Sequence, residues 1–359
     1  MPAASIPVID LAGADEGGDV RDSIASALVE AAVEHGFVYI RNQGLDIPAT
    51  AVNGAFDIAR RLFMLPTASK EACKIQTNNH GWAGMRVETL DPKTQRVGDP
   101  KEAFNFGEFV NGKAQQPLPA ELAADESESQ IGVFFDLCYR LCLKLNDLLG
   151  IGLGVSPPDF FTAAHRKEAG PSGNTLRLLY YPPRLDTETD RSEDIRAGAH
   201  SDYGSLTLLF RLAGQAGLEI CTRDGSWAPV PVMPPGTGVE DDEAPPILVN
   251  IGDLLSYWTG GLLRSTVHRV VFPLPGAETS TANVTPGEST KEPRYSIAFF
   301  CHPANNSPLS AVPSARVAEA VSKAQSEGQA VAAPRKILTA GEHLQMRLQS
   351  TYLDLYDKT

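Results

Sequence analysis

The sequence predicts an α+β protein in which a β-rich core of about 130 residues, a sandwich or barrel, is wrapped by helices. Three observations predict it. Apolar residues recur at helical spacing through the first half of the chain. From residue 175 onward the texture changes to short β-branched and aromatic runs separated by Gly, Pro and Asp clusters. No internal repeat or linker divides the 359 residues into autonomous parts.

The elements follow in order. PVIDL (7–11) and FVYI (37–40) are short strand-like runs. Helices are predicted over 20–34, where Ile24, Leu28 and Ala32 share a face, and over 49–65, with Val52, Phe56, Ala59 and Phe63. A third, over 129–149, carries Ile131, Phe134, Phe135, Cys138, Leu141, Cys142, Leu145 and Leu149. The strand-like runs are then TLRLLYY, HSDYGSLTLLF, LEICT, WAPVPV, ILVNIG, STVHRVVF and RYSIAFF. Two inserts, 234–246 and 276–293, have compositions that cannot support burial and read as exposed loops. Thr339 and Glu342 have capping-box spacing before a helix carrying Leu344, Leu348 and Leu355. The expected organisation is a mostly helical region over 1–120 and the β-core with flanking helices over 121–359, forming one structural unit.

Composition narrows the function. With 42% hydrophobic and 21% charged residues the chain can bury a large core, and no window approaches the run of about 20 apolar residues a membrane span needs. The opening MPAASIPVIDLAG lacks the basic and apolar regions of a secretory signal, and cysteines 73, 138, 142, 221 and 301 show neither disulfide-framework nor zinc spacing. A reducing, cytoplasmic setting is expected, with Cys138 and Cys142 as small core hydrophobes. A net charge of −13 argues against nucleic-acid or anionic-membrane partners. A small-molecule partner is expected; nothing specifies an oligomeric state.

One stretch carries chemistry. In GAHSDYGSLTLLF, residues i and i+2 of a strand would share a face, so His200 and Asp202 can converge on one ion. His268, in the strand-like STVHRVVF, is the best-placed third ligand. Two histidines and a carboxylate on one side of a metal leave open positions opposite, the arrangement used in non-haem Fe(II) chemistry. A strand histidine beside a turn aspartate is the plainer reading of the same letters. His80, His165 and His343 have no partner at ligand spacing; His35 and His302 sit beside strands.

Seven pieces in order extend this: IPVIDL (6–11), HGFVYIRNQGL (35–45), YYPP (180–183), HSD (200–202), NIGDLLSYWTGG (250–261), STVHRV (265–270) and RYS (294–296). On these the chain resembles, over nearly its whole length, the isopenicillin N synthase-like family of Fe(II)- and 2-oxoglutarate-dependent dioxygenases. The resemblance implies a double-stranded β-helix (jelly-roll) core. It implies iron on His200, Asp202 and His268, and 2-oxoglutarate held by Arg294 and Ser296 with a phenolic hydrogen bond from Tyr181. Asn250 would help shape the iron pocket and Asp253 would close a turn. O2 would be consumed and ascorbate would stimulate. The implied reaction oxidises a small organic substrate, a secondary metabolite or heterocycle, by hydroxylation, desaturation, epoxidation or ring closure, releasing succinate and CO2. The family also suggests a 2-oxoglutarate-independent oxidase, and the scaffold an inactive binding protein. Candidate substrate residues are Trp82, Arg86, Phe104, Phe106, Tyr203 and Phe300, although Phe104 and Phe106 equally fit a core strand. Two departures stand out. Leu179 occupies a position where plant members often have Asn, and the 276–293 insert lengthens the connection from His268 to Arg294.

Overall fold

The computed structural model describes residues 2–91, 95, 97–183, 195–238, 242–272, 292–326 and 337–351. Its β-rich runs form two sheets. The larger has eight strands in the order β1-β2-β10-β7-β12-β5-β4-β3: Val8–Ile9 (β1), Phe37–Ile40 (β2), Ile247–Ile251 (β10), Leu206–Arg211 (β7), Arg294–Cys301 (β12), Thr175–Tyr181 (β5), Glu102–Phe106 (β4) and Gly81–Ala83 (β3). The smaller has Ile195–His200 (β6), His268–Val271 (β11), Leu218–Cys221 (β8) and Trp227–Pro229 (β9). Every named pairing is antiparallel except β1 with β2. This is the jelly-roll core that the resemblance implies.

Strand alternation sorts the side chains into two cores. One face of the large sheet turns Leu176 and Leu178 of β5, Leu208 and Phe210 of β7, and Ile297 and Phe299 of β12 into a cluster with the helices. The other face turns Leu179, Tyr181, Leu248 and Ala298 toward Ala197, Leu218, Ile220 and Val270 of the small sheet. The inner faces of the two sheets also line a cavity that carries Arg294 and Ser296 from the large sheet and His200 and His268 from the small one.

The helices cover the outer face. α1 (Gly18–Glu34), α2 (Ala49–Met64) and α5 (Ser127–Gly152) match the predicted spans within three residues and bury the predicted stripes. α5 stops because Gly154 takes φ +63°, and the bonds Val155 N–H to Gly150 O and Gly154 N–H to Ile151 O, both 2.9 Å, complete a Schellman turn. Cys138 and Cys142 lie buried on its inner face as free thiols. Shorter helices are α3 (Thr67–Glu71), α4 (Ala120–Ala123), α6 (Phe160–His165), α7 (Asp253–Trp258) and α8 (Ala315–Ser326). α9 (Ala340–Thr351) opens on the predicted capping box: Thr339 N–H donates to Glu342 Oε2 at 2.9 Å and Glu342 N–H to Thr339 Oγ1 at 3.2 Å. Leu355 and nearly all of the 276–293 insert lie outside the described residues. Among the described residues no helix is long and apolar enough to cross a membrane.

Candidate active site

His200 ends β6, and the antiparallel register sets it directly opposite His268 at the start of β11. Their ring centroids are 4.3 Å apart. Asp202 does not share a strand face with His200 as the alternation argument expects: β6 stops at His200 and Asp202 lies in the turn beyond. That turn is pinned by Asp253 N–H donating to Asp202 O at 2.7 Å, and it returns the carboxylate to the imidazoles. Asp202 Oδ1 is 3.8 Å from His200 Nε2 and 3.7 Å from His268 Nε2. A ligand atom from each of the three lies within 4.8 Å of the others, a spacing that could hold a metal ion.

The remaining polar atoms of these groups are engaged elsewhere. His200 Nδ1 meets Gly198 O at 2.7 Å and His268 Nδ1 meets Thr266 O at 3.1 Å, which fixes Nδ1 as the protonated nitrogen and turns a lone pair at Nε2 inward. Asp202 Oδ2 accepts from Thr207 Oγ1 at 2.7 Å and Asn250 Nδ2 at 2.8 Å, residues that face one another across β7 and β10. Burial works to raise the Asp202 carboxyl, but both imidazoles and these two donors outweigh it and hold it below the usual range. Burial, aided by His268, pushes His200 down to about 4, so it stays a neutral imidazole. Asn250, expected to help shape an iron pocket, thus contacts Asp202 directly. Asp253 accepts from Ser265 Oγ at 2.6 Å and Ser201 Oγ at 3.0 Å, and pairs with Arg347 of α9 at 2.6 Å.

Arg294 begins β12, opposite Tyr181 of β5. It is 2% exposed, its guanidinium carbon lies 4.9 Å from the Tyr181 ring centroid, and its Nη1 donates to Ser296 Oγ at 3.3 Å. Its Nε has no hydrogen-bond partner, a costly state for a buried cation that an anionic ligand would relieve. Arg196 of β6 adds to the positive field: 1% exposed, with Nε and Nη2 both unpartnered, it is pushed down to about 9 by burial and by the like charge of Arg294. Arg294, Ser296, Tyr181 and the three metal-spacing residues line one cavity.

A second cavity, of about 410 Å³, shares His200 and Asp202 with the first. Its walls are Asn78, Asn79, His80 and Glu88 from the segments around β3, Arg177 of β5, Tyr203, Phe300 of β12, His302, and Leu344, Gln345 and Leu348 of α9. Of the six predicted substrate residues, Tyr203 and Phe300 line it. The other four do not. Phe104, Phe106 and Trp82 face the helix-side core, where Trp82 Nε1 donates to Glu102 Oε2 at 2.8 Å. Arg86 is exposed at a φ of +63°, outside the cavity.

Sequence reasoning missed the polar wall. Arg177 Nε donates to Asn105 Oδ1 at 2.8 Å and Nη1 pairs with Glu88 at 3.1 Å, which holds the guanidinium 5.5 Å from the Phe300 ring centroid. The available signal was an arginine at an inward position of an otherwise apolar strand. His302, read from sequence only as sitting beside a strand, lines the cavity with Nδ1 unpartnered, and burial together with His165 and His343 pushes it down to about 3.

Known proteins share this plan. Residues 6–125 match the model of the N-terminal region of non-haem dioxygenases described from morphine synthesis, and residues 172–303 match the 2OG-Fe(II) oxygenase superfamily. A proline hydroxylase, buaE, of Petromyces alliaceus is 30% identical over 92% of this chain and 94% of its own. The UPF0676 protein C1494.01 of Schizosaccharomyces pombe is 33% identical over 98% of this chain and 94% of its own. Among solved structures, a full-length Neurospora crassa protein in complex with alpha-KG (2-oxoglutarate) and thymine superposes with a TM-score of 0.73 at 27% identity, covering 96% of each chain. The same protein has been solved with 5-formyluracil. The chain belongs to the isopenicillin N synthase-like Fe(II)- and 2-oxoglutarate-dependent dioxygenases, non-haem enzymes that use O2 to oxidise a small organic substrate.

Proposed function

We propose that His200 Nε2, Asp202 Oδ1 and His268 Nε2 hold the iron, that Arg294, Ser296 and Tyr181 hold the distal carboxylate of 2-oxoglutarate, and that the larger cavity takes a compact planar heterocycle of the pyrimidine-base class. The observation that carries the reading is the junction of the two cavities at His200 and Asp202, beside His268, with a ligand atom of each of the three unengaged. Both groups fit the residues present: two imidazoles and a carboxylate suit Fe(II), and a buried guanidinium with an unpartnered Nε suits a carboxylate. Bound together, iron and 2-oxoglutarate supply the oxidising chemistry, in which decarboxylation to succinate and CO2 accompanies reduction of O2 and oxidation of substrate.

The chain's own residues do the positioning. Phe300 offers a flat apolar face beside the metal-spacing residues. Arg177, held by Glu88 and Asn105, sets donors at its edge for a ring carbonyl, while Asn79, Tyr203 and His302 present further hydrogen-bonding groups to the same space. Leu344 and Leu348 of α9 cover the cavity and limit water. A ring with carbonyl and N–H edges meets these groups better than an aliphatic substrate does, and the thymine complex of the Neurospora crassa protein supports the same class.

The test is substrate-stimulated succinate release with Fe(II), 2-oxoglutarate and a panel of thymine, uracil, proline, homoarginine and an aromatic carboxylic acid. Stimulation by a pyrimidine base is expected. Stimulation by proline or homoarginine alone would overturn the substrate class and leave the site assignment standing; absence of both iron binding and 2-oxoglutarate binding would overturn the site.

A further inference from the structure

Leu179 of β5 lines the cavity proposed for 2-oxoglutarate with no group to donate, and the site face of the neighbouring strand offers a donor. β4 pairs with β5 so that Ala103 faces Leu179 and Glu102 faces Tyr180. Lys101, one residue earlier, therefore falls on the same side as Ala103, Leu179 and Tyr181. It is 4% exposed and lines the cavity that holds Arg294, Ser296 and the three metal-spacing residues.

Its ammonium is fixed. Nζ lies 2.8 Å from Glu88 Oε2 and 3.1 Å from Asp99 Oδ2. Asp99 is anchored in turn by Gly198 N–H at 2.9 Å and Gln95 Nε2 at 2.8 Å, and Glu88 by Arg177 at 3.1 Å. An ammonium has three protons, and these two carboxylates account for two. Among the described residues no third acceptor meets Nζ. Through Asp99 it is tied to the Gly198 backbone, whose O meets His200 Nδ1 at 2.7 Å, so it is linked to the His200 end of the cavity, whereas Arg294 marks the other end.

We propose that Lys101 donates its third N–H to the iron-proximal keto-acid end of 2-oxoglutarate, where Leu179 offers no donor. This rests on the ligand assignment proposed above. Arg294 and Ser296 then hold one end of the dianion and Lys101 the other. Glu88 and Asp99 keep the lysine charged and aimed, and because Glu88 also holds Arg177, the co-substrate and substrate cavities share one buried charge cluster.

The test reads binding in the anaerobic Fe(II) protein, through the visible charge-transfer band that a 2-oxo acid gives on chelating iron. Two probes are titrated: 2-oxoglutarate, and 2-oxobutyrate, which has the keto-acid end but no distal carboxylate. Lys101→Met should weaken both by the same factor, about 10- to 150-fold, the range of hydrogen bonds to charged groups. Arg294→Lys should weaken 2-oxoglutarate alone. Removing Lys101 leaves the buried Asp99 without its cation, so the double variant Lys101→Met/Asp99→Asn, in which Glu88 stays balanced by Arg177, is measured beside it. A Lys101 variant, single or double, that folds and binds 2-oxobutyrate as tightly as the wild type would overturn the proposal. Wild-type protein that binds Fe(II) but gives no band with either probe would instead overturn the co-substrate site itself.

Discussion

Thr207→Val is the sharpest probe of how the metal site is tuned. The substitution keeps volume and β-branching on β7 and removes only the hydroxyl that donates to Asp202 Oδ2 at 2.7 Å. Oδ2 has two donors, and the second, Asn250 Nδ2 at 2.8 Å, stays. Thr207 is 2% exposed, so water cannot readily replace the lost contact. A hydrogen bond to a buried charged acceptor is worth about 1.5–3 kcal/mol, and loss of one outer contact to a metal ligand typically costs 10- to 100-fold in metal affinity, or about 1.4–2.8 kcal/mol. Fe(II) affinity should therefore fall by about 10- to 100-fold, measured by anaerobic calorimetric titration, with the circular dichroism spectrum unchanged. Asn250→Ala should act in the same direction, and the double variant should exceed either alone. An affinity within twofold of wild type in Thr207→Val would refute the reasoning, because Oδ2 would then contribute nothing to the aim of Oδ1.

Three further outcomes are expected. Alanine at His200, Asp202 or His268 should abolish turnover in a folded chain, and a His268→Ala protein that kept stoichiometric Fe(II) and full turnover would exclude it as a ligand. Phe300→Ala should raise the substrate KM by about tenfold, the worth of one ring-stacking contact, while Arg86→Ala leaves KM unchanged; the reverse result in steady-state succinate assays would relocate the substrate. Burial pushes His165 down to about 4, against about 6.5 when unfolded. Between those values the unfolded chain binds a proton that the folded chain does not, so stability present above about pH 6.5 is lost as pH falls toward 4, by about 3 kcal/mol at most from this group. Denaturant titrations at pH 7, 5.5 and 4.5 read it, and His165→Gln should flatten the dependence.

The elements were legible because each has a local cause. FVYI, TLRLLYY and RYSIAFF are strands in the structure, and the stripe from Ile131 to Leu149 is one helix face. Strand faces were less so. Aromatic character marked Phe104 and Phe106 as site candidates, yet on β4 these face the helices, and the site side carries Lys101, Ala103 and Asn105. Both patterns alternate with period two, and only the packing of α5 against the sheet decides which side is which. Asp202 was found through its spacing from His200, but for an incorrect reason: the turn, not strand alternation, aims its carboxylate. The polar wall around Arg177 was invisible because its partners, Glu88 and Asn105, are distant in sequence and meet only after β4 and β5 pair.

The opposition of His200 and His268 across a strand pair would give a bound iron a mechanical office as well as a chemical one. An ion held by both would rivet β6 to β11, and through Asp202 with Thr207 and Asn250 it would tie the small sheet to β7 and β10 of the large one. Filling the site would then clamp the two halves of the jelly roll at their mouth. A ligand at a thousandfold over its Kd adds about 4 kcal/mol to the folded state, and here that energy resists the splaying of one sheet from the other. Loss of iron would thus slacken the walls of both cavities at once, so that metal scarcity weakens the grip on co-substrate and substrate before any bond is made or broken.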